Sequence, residues 1–135
     1  MSERNTVFVR DIMKDQFVEL DGLKTVKEAI DDIIEFDANV LIVKKRDAKD
    51  EYGIVQLSDI AKKVLAKDRS PDRVNIYEIM TKPILSVPPT MDVRYCSRLL
   101  EQFGLTSVPV IEDEKVIGVV SYKQLVLHGL VEIHK

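Results

Sequence analysis

The sequence predicts a mixed α/β fold built from two similar strand–helix–strand–strand–helix units, and three observations carry that prediction. The first is an internal repeat: Gly53-Ile54-Val55-Gln56-Leu57-Ser58-Asp59-Ile60 returns as Gly118-Val119-Val120-Ser121-Tyr122-Lys123-Gln124-Leu125, at an offset of 65. Asp11-Ile12-Met13 likewise returns as Glu78-Ile79-Met80, at an offset of 67. The second is the alternation of short apolar runs of strand length with stretches of helical periodicity. The third is a polar break, Asp68-Arg69-Ser70-Pro71-Asp72-Arg73, after which the pattern restarts. A period near sixty residues implies two units too small to be stable alone, packed sheet to sheet about a pseudo-two-fold axis. The boundaries follow as repeat one at 7–67, a linker at 68–74 and repeat two at 75–130.

Taken in order, residues 7–13 lead in, and Phe17-Val18 forms a short strand before the Asp21-Gly22 turn. Thr25 caps a helix whose Val26, Ala29, Ile30, Ile33 and Ile34 fall at i, i+3, i+4, i+7, i+8. Val40-Leu41-Ile42-Val43 is a continuous apolar run, hence a buried strand. Residues 44–51 alternate in charge and read as a solvated hairpin loop before a paired strand at 52–57. A helix over 58–67 then turns Ile60, Ala61, Val64 and Leu65 inward. In the second repeat, Ile84-Leu85-Ser86-Val87 is the first strand, and Asp92 caps a helix with Val93, Cys96, Leu100 and Phe103 inward. Ser107-Val108-Pro109-Val110-Ile111 is the buried strand, its proline near the start, where a missing N–H is tolerated. The loop at 112–115 is shorter than its counterpart, which accounts for the change of offset.

Composition narrows the function. The chain has 135 residues, 45% hydrophobic and 32% charged, with a formal charge of −3. That describes a soluble globular protein and gives no support to nucleic-acid binding through a phosphate-neutralising face. No run approaches the ~18 apolar residues of a membrane span, and the first residues lack the apolar core of a signal peptide. The single cysteine excludes an internal disulfide and suits a reducing cytoplasm.

The Gly53–Ile60 stretch carries the chemistry. A polar turn between a strand and a helix leaves backbone N–H groups unpaired where a phosphate can sit. A carboxylate beside it can accept two hydrogen bonds from a ribose diol. The same Ser58-Asp59 pair is also an ordinary helix cap.

Together the two Ile-Met pairs, the helix starts Thr25-Val26-Lys27-Glu28-Ala29 and Met91-Asp92-Val93, Ser107-Val108-Pro109-Val110, and the endings at 53–59 and 118–124 resemble a tandem CBS (cystathionine-β-synthase) domain pair, or Bateman module. The resemblance spans roughly residues 7 to 130. It implies a non-catalytic regulatory module that binds AMP, ADP, ATP or a related adenosyl compound in clefts between the repeats. It also implies a homodimer forming a disk of four CBS units, and an effector protein that reads a conformational change.

Carried over residue by residue, the resemblance implies a main cleft with Asp59 on the ribose. Gln56 stands there where a hydroxyl is usual, Ser58 can substitute for it, and Lys62 lies within reach of a phosphate. Ile84, Thr106, Ser107, Val108 and Pro109 would form the base wall. In a weaker second cleft Ser121 matches the hydroxyl, Gln124 replaces the acid, and Phe17, Val18, Asn39 and Val40 face them. A neutral amide lacks the charge-assisted strength of a carboxylate. The alternative is a structural dimer or assembly adaptor that has lost its ligand, and Gln56 and Gln124 favour it. No cofactor for catalysis and no metal are expected. Cys96 falls on the inner helical face, as a small buried residue would. His128 and His134 have no ligand partners in the sequence pattern.

Overall fold

A computed structural model describes residues 5–82 and 84–135. It is mixed α and β with two small sheets, one of three strands and one of two. Contacts divide the chain into two compact units: one is Gln16–Ile84, and the other joins Met1–Asp15 to Leu85–Lys135.

In the 16–84 unit, strand β1 (Val18–Leu20) runs parallel to β2 (Val40–Val43), and β2 pairs antiparallel with β3 (Gly53–Gln56). A parallel pair needs a crossover, and helix α2 (Val26–Phe36) supplies it. We number the one-turn helix Val9–Ile12 of the other unit α1. Helix α2 starts at a reciprocal capping box: Thr25 Oγ1 accepts from Glu28 N and Glu28 Oε1 accepts from Thr25 N, both at 3.1 Å. It ends at Asp37, whose φ of 52° closes the last turn. Val26 and Ala29 are buried and Ile30 and Ile33 pack beside them, whereas Ile34, expected inward, is 74% exposed.

The helix after β3 differs from the expected regular one. A single α turn, α3 (Leu57–Ile60), passes into a π-helix at Ala61–Leu65. The wider turn shifts the phase of the side chains. Val64 is buried, but Ala61 and Leu65, expected inward, are exposed.

The other unit repeats the plan with less sheet. Helix α4 (Val93–Phe103) buries Val93, Cys96 and Leu100, while Phe103, expected inward, is exposed. Strands β4 (Ser107–Glu112) and β5 (Lys115–Ser121) form a hairpin. Its two loop residues, Asp113 and Glu114, both have positive φ, the mirror-image turn that matches strand twist. Pro109 is buried in this strand and its carbonyl accepts from Val87 N at 3.1 Å. The strand expected at residues 84–87 is reduced to a bridge from Val87 to Val110. Beyond Val87, Pro88 and Pro89 lack the N–H groups that would carry a ladder further. Helices α5 (Tyr122–Gln124) and α6 (Val131–Ile133) flank a π-helix at Leu125–Leu130.

The compact units do not coincide with the sequence repeats. Val74, Ile76 and Ile79 fill the core under the first repeat's sheet, together with Leu41, Val43 and Val55. Val9 and Ile12 fill the core beside Val108, Val110 and Val120 of the second repeat. The bridges are equivalent: Thr81 pairs with Ile54, and Lys14 with Val119. Each Ile-Met lead-in thus caps the sheet of the opposite repeat. Segment 68–74, expected as a linker, includes a 3-10 turn at Pro71–Arg73 and ends on buried Val74, whose carbonyl accepts from Val26 N at 2.8 Å.

Candidate functional site

In the 16–84 unit the register sets Val40 opposite Gln56 and Val18 beside Leu41, so one end of the sheet gathers Phe17, Val18, Asn39, Val40 and Gln56. The chain turns there directly from β3 into α3. Gln56, extended at φ −99° and ψ 161°, is the N-cap residue, two places before Ser58. Asp59 sits at the third helical position and its Oδ2 accepts from Gln56 N at 2.8 Å. Its Oδ1 is 3.7 Å from Lys63 Nζ, which donates to Ile79 O at 3.1 Å. The Asp59 side chain is 21% exposed; one carboxylate oxygen caps the backbone and the other lies beside a cation.

Ser58 and Lys62 are exposed on this turn and make no part of the cap. Lys63 is the cation beside the carboxylate, and Lys62 is not. The i,i+4 spacing of Asp59 and Lys63 is the signal that identifies the pair in the sequence.

The other unit builds the same end from different chemistry. Ser107 pairs with Ser121 at the end of the hairpin. Gln124 Oε1 accepts from Ser121 N at 2.9 Å and also from the Ser121 hydroxyl. A single amide oxygen thereby takes both hydrogen bonds, and no anionic oxygen remains there. Ser107, Val108 and Pro109 are buried, and Thr106 is exposed.

The residues expected around one ligand therefore fall on two units. Gln56, Ser58, Asp59, Lys62 and half-buried Ile84 belong to the 16–84 unit, and Thr106–Pro109 to the other. Of the second set, Phe17, Val18, Asn39 and Val40 belong to the 16–84 unit, and Ser121 and Gln124 to the other. Within each unit, Gln56 and Asp59 in the one, and Ser107, Ser121 and Gln124 in the other, meet at the strand end that precedes the capped turn.

The glycines that open these stretches have a packing reason. A Cβ on Gly53 would lie 2.7 Å from Met80 Sδ, and one on Gly118 would lie 2.8 Å from Met13 Sδ and 3.1 Å from Lys14 O. Each glycine lets the methionine of an Ile-Met pair lie directly on the strand.

Elsewhere the chemistry is quiet. Cys96 is fully buried, and burial pushes its thiol up to about 11. His128 lines a polar cleft of about 580 Å³ with Asp11 and Glu132. Among the described residues no group of three His, Cys, Asp or Glu side chains can hold a metal. No helix among them is long and apolar enough to cross a membrane.

Comparison with known proteins names the CBS domain in the family model and in several solved structures. The family model for the CBS domain matches residues 76–129. The structure of a hexameric CBS-CP12 protein from bloom-forming cyanobacteria is 34% identical, superposes with a TM-score of 0.87, and covers 90% of this chain and 70% of its own. The CBS domain pair of protein MJ0100, solved in complex with 5′-methylthioadenosine and S-adenosyl-L-methionine, is 24% identical with a TM-score of 0.79, over 97% of this chain and all (100%) of that one. The uncharacterized protein MK0525 of Methanopyrus kandleri is 30% identical over 88 residues, 64% of this chain and 44% of its own length. The chain spans about half the length of the curated relatives it matches, 44% and 47% of the first two.

Proposed function

The chain belongs to the CBS-domain family, and on that premise we propose that it is a non-catalytic regulatory module that binds an adenosyl ligand, with AMP, ADP and ATP as its first candidates. The observation that carries the proposal is the Asp59 carboxylate. One oxygen is held by the Gln56 N–H and the other lies 3.7 Å from Lys63 Nζ. An anionic acceptor fixed in this way is already oriented for the two hydroxyls of a ribose, and charge-assisted hydrogen bonds of that kind are the strong ones. Ile84, half-buried in the same unit, keeps the base-contacting role that the family resemblance implies. The Ser121–Gln124 end, with no anionic oxygen, is the weaker of the two. Adenosyl ligands in the CBS pair of the same fold support the ligand class.

The effect on a partner is part of the same proposal. A ligand shifts a regulatory equilibrium only by its difference in affinity for the two states. Self-association into a disk of four CBS units would give the partner a surface to read, and an intracellular setting suits a nucleotide ligand. The second reading is an assembly adaptor without a ligand. It is favoured by the fact that Asp59 and Gln124 both already serve as backbone caps.

Calorimetric titration with AMP, ADP, ATP and S-adenosylmethionine tests this, on the unaltered protein and on Asp59→Asn. Asparagine keeps an acceptor for Gln56 N and removes the charge. Saturable binding near one ligand per chain, weakened at least tenfold by the substitution at unchanged melting temperature, is expected. Binding that survives Asp59→Asn and is lost in Ser121→Ala moves the site to the Ser121 end, and no binding by any of the four leaves the adaptor.

A further inference from the structure

The opposite end of the same three-stranded sheet carries a second, basic cavity that shares no residue with the Asp59 turn. Val43 pairs with Gly53 there, three residues from the Val40–Gln56 pair, a separation of about 10 Å along the strands. The cavity has a volume of about 650 Å³ and is lined by Lys44, Lys45, Arg46 and Lys82, with Tyr77 and the Asp21-Gly22 turn on its wall.

Two of these cations, Arg46 and Lys82, are organised by one carboxylate. The hairpin loop, expected to be solvated throughout, turns Asp50 inward, and its side chain is only 7% exposed. Asp50 Oδ2 accepts from Arg46 N at 2.8 Å and from Arg46 Nε at 3.1 Å, and Oδ1 pairs with Lys82. Lys45 lies over the Tyr52 ring, 5.0 Å from its centre. The Asp50 bond uses Nε of Arg46, and the Arg46 side chain stays 82% exposed, so the outer guanidinium nitrogens point to solvent. Asp21 Oδ1 is engaged by Leu23 N at 2.8 Å. Four cations line this concave site against one lining carboxylate, Asp21, with Asp50 behind Arg46 and Lys82 and Asp47 also acting on Arg46, so the cavity carries an excess of positive charge.

We propose that this cavity is an anion site for a diphosphate group, carried either as free pyrophosphate or on a small organic molecule. Four cations lining one cavity suit a polyanion such as a diphosphate better than a monoanion. A guanidinium with its outer fork free is the group suited to bidentate phosphate binding. Lys44 and Lys82 supply point charges on the same wall. Gly22 keeps the wall open: a Cβ there would lie 3.2 Å from Val43 Cγ1 and 3.3 Å from Tyr77 Cβ. The volume exceeds what a diphosphate alone fills, and half-exposed Tyr77 offers a ring to an organic portion.

The test is titration with pyrophosphate at near-physiological salt, followed by amide chemical-shift mapping of the full chain carrying Asp59→Asn, so that failure of the nucleotide reading does not disturb it. The expected result is saturable binding near one per chain, with shifts confined to residues 21–23, 43–46 and 77–82. Lys44→Gln with Arg46→Gln should weaken it at least tenfold. Because both side chains are on the surface, an unchanged melting temperature will show that folding is intact. Unchanged affinity in the double variant, shifts centred on residues 56–63, or no saturation at millimolar pyrophosphate would each overturn the proposal. ADP in the same background separates the sources. ADP affinity that falls in Tyr77→Ala while pyrophosphate affinity holds identifies an organic diphosphate, and equal affinities identify the inorganic one.

Discussion

Asp50 shows how much one carboxylate does in this chain. Its contacts with Lys82 first, then with the side chain and backbone N–H of Arg46, hold its carboxyl far below the usual range. A carboxyl depressed in the folded state contributes stability that is present above its unfolded value, near 4, and is lost as pH falls through and below it. Denaturant midpoints at pH 7 and pH 3 are therefore expected to differ more for the unaltered protein than for Asp50→Asn. Equal differences would show that the carboxylate contributes nothing to acid stability. Cys96 illustrates the converse. A thiol fully buried and raised to about 11 is neutral at pH 7, and the thiolate is the reactive form. Iodoacetamide should label it only after unfolding. Labelling of the native protein at the rate of a free thiol would contradict its burial.

At the scale of elements, the carboxylates of the repeated motifs serve as caps as well as chemistry. Asp11 accepts from Phe8 N at 2.9 Å and Glu78 from Asn75 N at 2.7 Å, which explains why an acid precedes each Ile-Met pair. Thr25 is the clearest cap, and Thr25→Ala is expected to cost about 1 kcal/mol by denaturant titration. The two strand glycines separate flexible from rigid neighbours. An added methyl at Gly53 meets the movable side chain of Met80, whereas at Gly118 it also meets the Lys14 carbonyl. Gly118→Ala should therefore lose more stability, about 1–3 kcal/mol, than Gly53→Ala. The reverse order would show that the Met13 side of the sheet relaxes freely.

For the whole molecule, the exposed apolar residues bear on assembly. Val126, Leu127, Leu130 and Val131, on successive turns near the C-terminal end, are each about half exposed. A cluster of that kind on one helical segment is the usual mark of a surface that another protein covers. Self-association is therefore expected in sedimentation, with Leu127→Glu and Leu130→Glu shifting the protein toward monomer. A monomer at all concentrations would remove the four-unit disk from the proposed mechanism.

Much of this was legible in the residues. The offset of 65 to 67 between Gly53 and Gly118, and between Met13 and Met80, marked an internal repeat. The run Val40–Val43 and the capped periodicity from Thr25 marked a buried strand and a helix, because local pattern and burial agree at those positions. Three things were decided only in the folded chain. The Ile-Met lead-ins exchanged sheets, because the choice between two equally apolar surfaces rests on contacts far apart in sequence. Leu65 and Phe103 turned outward, Leu65 because a π turn changes the phase that a 3.6-residue period assumes, while nothing in the sequence marks the change at Phe103. Asp50 turned inward from a loop of alternating charge, because its partner Lys82 is remote along the chain and near only once Met80 has settled on Gly53. Local periodicity specifies elements, and long-range packing decides which of them share a core and which charges meet.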